Sequence, residues 1–287
     1  MIQAGQEVDI GEIVLHHTAD AYSLDFYPLG RIAWHKWPDV YLGSFPINLT
    51  PTKHVVFLAL AAFLVFLTMK LAGVALARQR AGENAPRGFA AAMEGLVLWV
   101  RNDIAIANIG HDGKKFAPLI MTLFFFILYS NLLGLVPWGS TPSGNIAMTG
   151  ALAILAFFTI EISGLVKLGP RGYLRTIFPK MPGMSGAGGV AISIAMGPIE
   201  ILGKLVKPIA LAVRLFGNMT AGHFVVLSLL GIVFLFGNLG VWSYGIAGAT
   251  VMIVVAIMLL ELFVAFLQAY VFALLSAVFI GLMQHEH

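Results

Sequence analysis

The sequence predicts an all-α integral membrane protein made of upright transmembrane helices, an amphipathic surface helix and a long C-terminal helical pair. Three observations predict it. Hydrophobic residues fill 59% of the 287 positions and charged residues only 11%, where a soluble domain carries about 25% charged residues. The mean hydropathy is +0.89. The apolar residues gather into long stretches, and the last two stretches are far longer than a bilayer is thick. Such a chain cannot cover a water-facing surface. Cysteine is absent, which excludes disulfide stapling, thiolate metal sites and thiol catalysis together. The net charge is only +3, and no basic run of the kind that grips nucleic acid occurs.

Residues 1–50 read as an extramembrane arm. They hold six acids against two basic residues, Arg31 and Lys36, and lack the apolar core of a secretion signal. His16 and His17 are adjacent, but no third ligand stands at helical spacing, so no metal site is expected. The first transmembrane helix falls within 51–80, flanked by Lys53 and by Arg78 and Arg80. Lys70 lies near its end, where a long side chain can carry its ammonium to the interface. Residues 81–115 mix charges with small apolar groups. Within them, 88–109 repeat apolar residues at helical spacing and read as an amphipathic helix on the membrane surface.

A transmembrane pair follows over 116–168, its halves (116–137 and 145–168) separated by the Pro-, Gly- and Ser-containing turn 138–144. The connector 169–186 carries Arg171, Arg175 and Lys180. Its PGMSGAGG run has no Gly-Lys-Ser/Thr after it, so it is a linker and not a phosphate cradle. The remainder, 187–287, holds two very long apolar segments, 187–237 and 245–283. At ~1.5 Å per residue the second is on the order of 58 Å long, against a hydrocarbon core ~30 Å thick. Helices of that length tilt steeply, break, or run along the membrane inside protein. Lys and Arg number six over 78–115 and four over 167–180, while 137–146 and 238–244 have none. That asymmetry puts the first two loops and the C-terminus in the cytoplasm and the acidic arm outside. No internal repeat is evident, which counts against an inverted-repeat transporter.

Ionisable groups inside membrane segments are costly and usually functional. After residue 207 the only basic residue besides histidines is Arg214, and the only acid before the terminal His-Glu-His is Glu261. At ~100° per residue, Asn218, Lys207 and Glu200 lie within ~40° of Arg214, so these residues and Lys204 form one polar stripe on an apolar helix. Glu200 and Lys204 are four apart and can neutralise each other. His223 lies on the opposite face from Arg214. On the last helix, Glu261 and Gln268 point in similar directions, seven residues apart. If the two long helices are antiparallel neighbours, His223 and Glu261 fall at similar depth, and Gln268 can approach Arg214. A His beside a Glu in a low-dielectric site makes a proton relay, because both can titrate near neutral pH. The alternative is a hydrogen-bonded structural pair. An arginine stays charged up to pH ~12, so Arg214 can attract a carboxylate and block a leak but cannot itself carry protons. Its alternative is a structural arginine paired to a carboxylate inside the protein.

RLFGNMTAGH (214–223), with Glu261 and Gln268 on the following helix, closely resembles subunit a of the F-type ATP synthase. Further matches are PLIMTLFFFILYSNLLGLVP (118–137), TPSGNI (141–146) and PIE (198–200), so the resemblance spans about 80–285. It implies a near membrane-parallel helical hairpin packed against a ring of c subunits. It also implies b-type peripheral stalk subunits and the remaining synthase subunits as partners, and a bacterial inner membrane as location. Arg214 then looks like the essential arginine facing the ring, with Asn218 and Gln268 as polar neighbours. Glu200 resembles the acid of the cytoplasmic half-channel, and His223 with Glu261 the pair lining the outer one. Many bacterial members place the acid on the first long helix and the His on the second; here the order is exchanged as a unit. Glu161, and Asn131 with Ser143 and Asn145, are candidate channel-lining residues, Glu161 alternatively pairing with another helix and the other three alternatively serving helix packing and turn capping. Glu94 and Arg101 are expected on a solvated face or against the stalk. No cofactor, metal or nucleotide site is expected, so the chain is a non-catalytic subunit. The rival reading is a stand-alone proton channel or secondary transporter, and a third is a membrane scaffold.

Overall fold

A computed structural model describes residues 20–26, 30–42, 45–48, 50–80, 88–136, 139–178, 187–236 and 240–285. His16 and His17, Arg87, Lys180, most of the PGMSGAGG run and the terminal Glu286 and His287 lie outside the described residues. The helices are α1 (Lys53–Arg80), α2 (Phe89–Trp99), α3 (Gly113–Leu135), α4 (Ile146–Ile177), α5 (Ala187–Leu235) and α6 (Val241–His285). Five of them contain spans long and apolar enough to cross a membrane: Lys53–Val74, Gly113–Leu135, Ile146–Ile177, Gly188–Val233 and Trp242–Gln284.

Two local features depart from the sequence expectation. The arm is not without strands: β1 (Ser23–Phe26) pairs antiparallel with β2 (Gly30–Ala33), and β3 (Val40–Leu42) with β4 (Phe45–Ile47). The all-α expectation therefore needs this small β addition. The stretch 88–109 is also not one regular helix. After α2 it passes into a π-helical segment, Val100–Ile106, and ends in a turn of α-helix, Ala107–Ile109. Asn108 donates its amide to the carbonyls of Asp103 and Ile104, at 3.2 and 2.8 Å, satisfying acceptors at the π-to-α junction. In α4 the backbone leaves helical geometry at Gly169 (φ 68°, ψ 171°), followed by Pro170. A positive φ suits glycine, and proline cannot continue the hydrogen-bond ladder.

The chain divides into two compact units. Over its described parts, the first draws on Met1–Ala62, Leu128–Asn145 and Leu215–Leu267, and the second on Phe63–Ile127, Ile146–Arg214 and Gln268–His287. In the first unit the arm is tied to the start of α1. Lys53 N–H donates to the Ala21 carbonyl (2.9 Å), the Trp34 indole to the Pro51 carbonyl (2.6 Å), and Trp37 N–H to Thr50 Oγ1 (2.8 Å). In the second unit Trp99 stacks on Tyr270 with ring centroids 5.7 Å apart and meets Phe124 edge-on at 6.2 Å. Val100, Ile104, Ile120, Phe124, Phe125, Phe272 and Ile280 are buried with them. Glu94, expected on a solvated face or against the stalk, is buried within the chain, and its Oε1 has no hydrogen-bond partner among the described residues.

Asp112 precedes α3 and accepts from Lys115 on α3 and Lys167 on α4, both at 2.7 Å. These hydrogen bonds, Lys115 first and Lys167 second, hold its carboxyl down at about pKa 2 against an ordinary 3.8. A carboxylate with a depressed folded pKa contributes stability that is present above its unfolded value and lost as pH falls through the folded one. The melting temperature of the purified protein therefore falls between about pH 4 and pH 2. Asp112→Asn is expected to flatten that part of the curve by lowering the neutral-pH value towards the acid one, a small shift because exposed ion pairs contribute little.

Candidate functional site

Thr141 organises the polar centre of the first unit. Its hydroxyl lies 2.5 Å from Nε2 of His223 on α5, and its carbonyl accepts from Nδ1 of His54 on α1 at 3.2 Å. Gly134 near the end of α3 leaves the room for this. A Cβ there would collide with the Thr141 hydroxyl and stand 3.1 Å from His223 Nε2. One residue before His223, Gly222 packs directly on Glu261 of α6. A Cβ on Gly222 would overlap Glu261 Oε1 and stand 2.8 Å from its Cδ. The chain thus brings the His223 and Glu261 segments together, as the helical geometry suggested. Glu261 Oε1 and the Thr220 hydroxyl are buried with no hydrogen-bond partner among the described residues.

Asn131 and Ser143, expected as packing groups or channel lining, lock to each other. Ser143 donates to Asn131 Oδ1 at 2.6 Å, and Asn131 donates to the carbonyl of Ala265, one turn beyond Glu261, at 3.4 Å. Both side chains are fully buried. They hold α3, the turn after it and α6 in register around the Glu261 position. The Asn145 backbone N–H closes the 3₁₀ turn Pro142–Gly144 onto the Pro142 carbonyl at 3.0 Å.

The second unit carries Arg214, Glu200, Glu161 and Gln268. Arg214 is exposed and makes no hydrogen bond or ion pair with any described residue. Val213 beside it and Ile209 are about half exposed, at 52% each, so the charge stands on a largely apolar helix face. Asn218, one turn on along α5 and part of the first unit, is exposed as well. Gln268 is buried, and no described hydrogen bond joins it to Arg214.

Lys204 does not neutralise Glu200. It pairs across to α4, with Glu161 at 3.6 Å and the Thr176 hydroxyl at 3.0 Å. Tyr173 donates its hydroxyl to the same Glu161 carboxylate and lies under the Lys204 ammonium, 4.7 Å from ring centroid to Nζ. This set gives the lysine three partners where its own helix offers one, the half-buried Glu200. Glu161 thus pairs with another helix, and it also lines a cavity of about 80 Å³ with Glu200, Lys204 and Lys207. Of the two alternatives raised by its sequence position, the contacts show the pairing with another helix. His54, Thr141 and Tyr173 were not legible as site residues. Tyr173 reaches Glu161 only because α4 bends at Gly169, and His54 only because the arm and Thr141 fold onto the first turn of α1.

The model of the ATP synthase A chain family matches residues 55–281. The chain is 43% identical over 273 residues to ATP synthase subunit a 2 of Chlorobaculum tepidum, covering 95% of this chain and 72% of the relative. It is 43% identical over 274 residues to ATP synthase subunit a of Chloroherpeton thalassium, covering 95% and 77%. With ATP synthase subunit a of Anaeromyxobacter dehalogenans the identity is 39% over 293 residues, covering 97% and 72%.

Proposed function

Because the chain belongs to the ATP synthase A chain family, we propose that it is the proton-translocating stator subunit of a rotary F-type ATP synthase, working against a ring of carboxylate-bearing c subunits. The observation that carries this reading is Arg214, a permanent cation exposed on an apolar helix and unpaired within the described chain. A charge in a membrane segment is tolerated when it faces a partner or water. A guanidinium that finds no internal carboxylate calls for one supplied from outside.

The mechanism follows from the two groups of residues. A proton from the outer side passes the Glu261 and His223 pair and protonates a carboxylate of the ring, which can then rotate into lipid as a neutral group. On return, Arg214 favours the ionised carboxylate, and the proton leaves towards the cytoplasm by way of Glu200. Because Arg214 stays charged, it also repels any proton taking a direct path between the two sides. Asn218 and Gln268 serve as polar neighbours of that exchange. Each proton crossing 100 mV releases ~2.3 kcal/mol, so several are combined per ATP. The b-type stalk holds the chain still, the arm lies outside, and nucleotide chemistry belongs to other subunits.

Reconstitution separates this from a stand-alone channel or secondary transporter. In liposomes the purified chain alone is expected to give no proton flux above that of empty liposomes under an imposed potential. Addition of the c subunits is expected to raise the flux at least tenfold. Equal flux with and without the ring would transfer the assignment to the stand-alone channel.

A further inference from the structure

The mechanism above gives the outer path a half-buried pair, His223 and Glu261, and leaves open how protons reach it from water. We propose that the N-terminal arm completes that path: His54, with Asp20 beside it, collects protons at the surface and passes them to the Thr141, His223 and Glu261 group. This deepens the stator reading and rests on it.

The first step of the path runs from wet to dry. Asp20 is the outermost group, its side chain 35% exposed, and the His54 side chain beneath it is 8% exposed. His54 Nε2 lies 3.8 Å from Asp20 Oδ1. Its other nitrogen, Nδ1, is 3.2 Å from the Thr141 carbonyl, an acceptor only, so Nδ1 carries the hydrogen. That bond fixes the tautomer and leaves Nε2 as the basic nitrogen, aimed at the carboxylate. On its other side Thr141 touches His223 Nε2 through its hydroxyl at 2.5 Å. Glu261 packs on Gly222 one residue away. A single threonine therefore holds one imidazole by its carbonyl and a second by its hydroxyl.

Imidazole can take a proton on one nitrogen and release one from the other at near-neutral pH. A proton arriving at Nε2 converts His54 to an imidazolium whose charge Asp20 balances. Nδ1 then gives its proton to the Thr141 hydroxyl as that hydroxyl gives its own to His223 Nε2, and a flip of the neutral His54 ring restores the starting tautomer. One proton is gained and one is lost, and only N–H and O–H bonds change. The charged and titratable groups around His54 are Asp20 from the arm, Lys53 on α1 and His223 on α5, with Glu261 beyond on α6. Lys53 is buried next to His54 in the chain.

Asp20 also has a structural task, since Oδ1 accepts from the His54 backbone N–H at 3.4 Å at the start of α1. Asp20→Asn keeps a capping acceptor, Asn and Asp being comparable helix caps, but removes the charge. The test uses the whole synthase in vesicles, with subunit composition checked, and measures proton flux imposed from the side the arm faces, from about pH 6 to pH 9. In His54→Gln, flux is expected to fall roughly tenfold or more at the alkaline end, where protons are scarce, and to approach wild type at the acid end. Imidazole added on that side is expected to restore it, and Asp20→Asn is expected to be intermediate. A wild-type pH profile in His54→Gln, or a uniform loss that imidazole does not rescue, would overturn the proposal. Arg214→Ala run in parallel keeps the two readings apart: wild-type pumping there would remove the stator reading itself, whereas an inactive Arg214→Ala with a normal His54→Gln removes only the arm.

Discussion

Replacing Arg214 with alanine is expected to abolish ATP-driven proton pumping in an otherwise assembled complex. The magnitude follows from electrostatics. A guanidinium and a carboxylate 4 Å apart interact by ~4 kcal/mol at an effective dielectric of 20, which is about three pKa units of preference for the ionised carboxylate. Without it, a ring carboxylate in a membrane setting stays protonated and does not release its proton on the cytoplasmic side. Pumping should therefore fall on the order of a thousandfold, below the background of a fluorescent ΔpH assay. Arg214→Lys should restore only part of it, because an ammonium lacks the planar fork and can lose its own proton when desolvated. On the proposed mechanism, passive leak should rise in the alanine variant, as the fixed charge that blocks a direct proton path is gone. Pumping at wild-type rate with assembly intact would exclude Arg214 from coupling and leave the transporter and scaffold readings.

The second large effect is expected at Gly222. A side chain there meets the Glu261 carboxyl before it meets any backbone of α6. The acid can swing away, so Gly222→Ala should assemble nearly normally, yet the carboxyl leaves its place against Gly222. A misplacement of about 1 Å in a reacting group can cost a hundredfold, and a loss of ten- to a hundredfold in proton flux is expected here. Valine should be worse and should impair assembly as well. The companion variant is Gly222→Ala with Glu261→Asp, which shortens the acid by one methylene and should recover part of the flux. If Gly222→Ala conducts normally, the Glu261 position tolerates displacement and the tight contact is only packing.

Much of this was legible in the residues. Membrane character, the five spans and the pairing of the two long helices came from apolar length and from the few charges left after residue 207. The stripe from Glu200 to Asn218 and the opposed His223 came from helical periodicity. Sequence spacing failed where a charge had several partners in reach. Lys204 had Glu200 four residues away on its own helix, yet it turns to Glu161, Tyr173 and Thr176 on α4. A one-helix argument cannot weigh partners that another helix supplies. Glu94 failed in the same way, since an acid on a mixed helix reads as solvated until neighbouring elements cover it.

The sequence by itself therefore determined the solvent of this protein, the family to which it belongs and the residues whose charge has no business in lipid. Those follow from composition and from period, which are properties of one segment at a time. Only the tertiary structure decided which of these groups meet. The Gly169 bend carries Tyr173 back to Glu161. Gly134 lets Thr141 close on His223, and Gly222 lets Glu261 pack against α5. The arm returns to set Asp20 over His54. Each of these contacts joins residues from different parts of the chain, through a backbone turn or a missing side chain, and such contacts leave no period in the sequence from which they could be read.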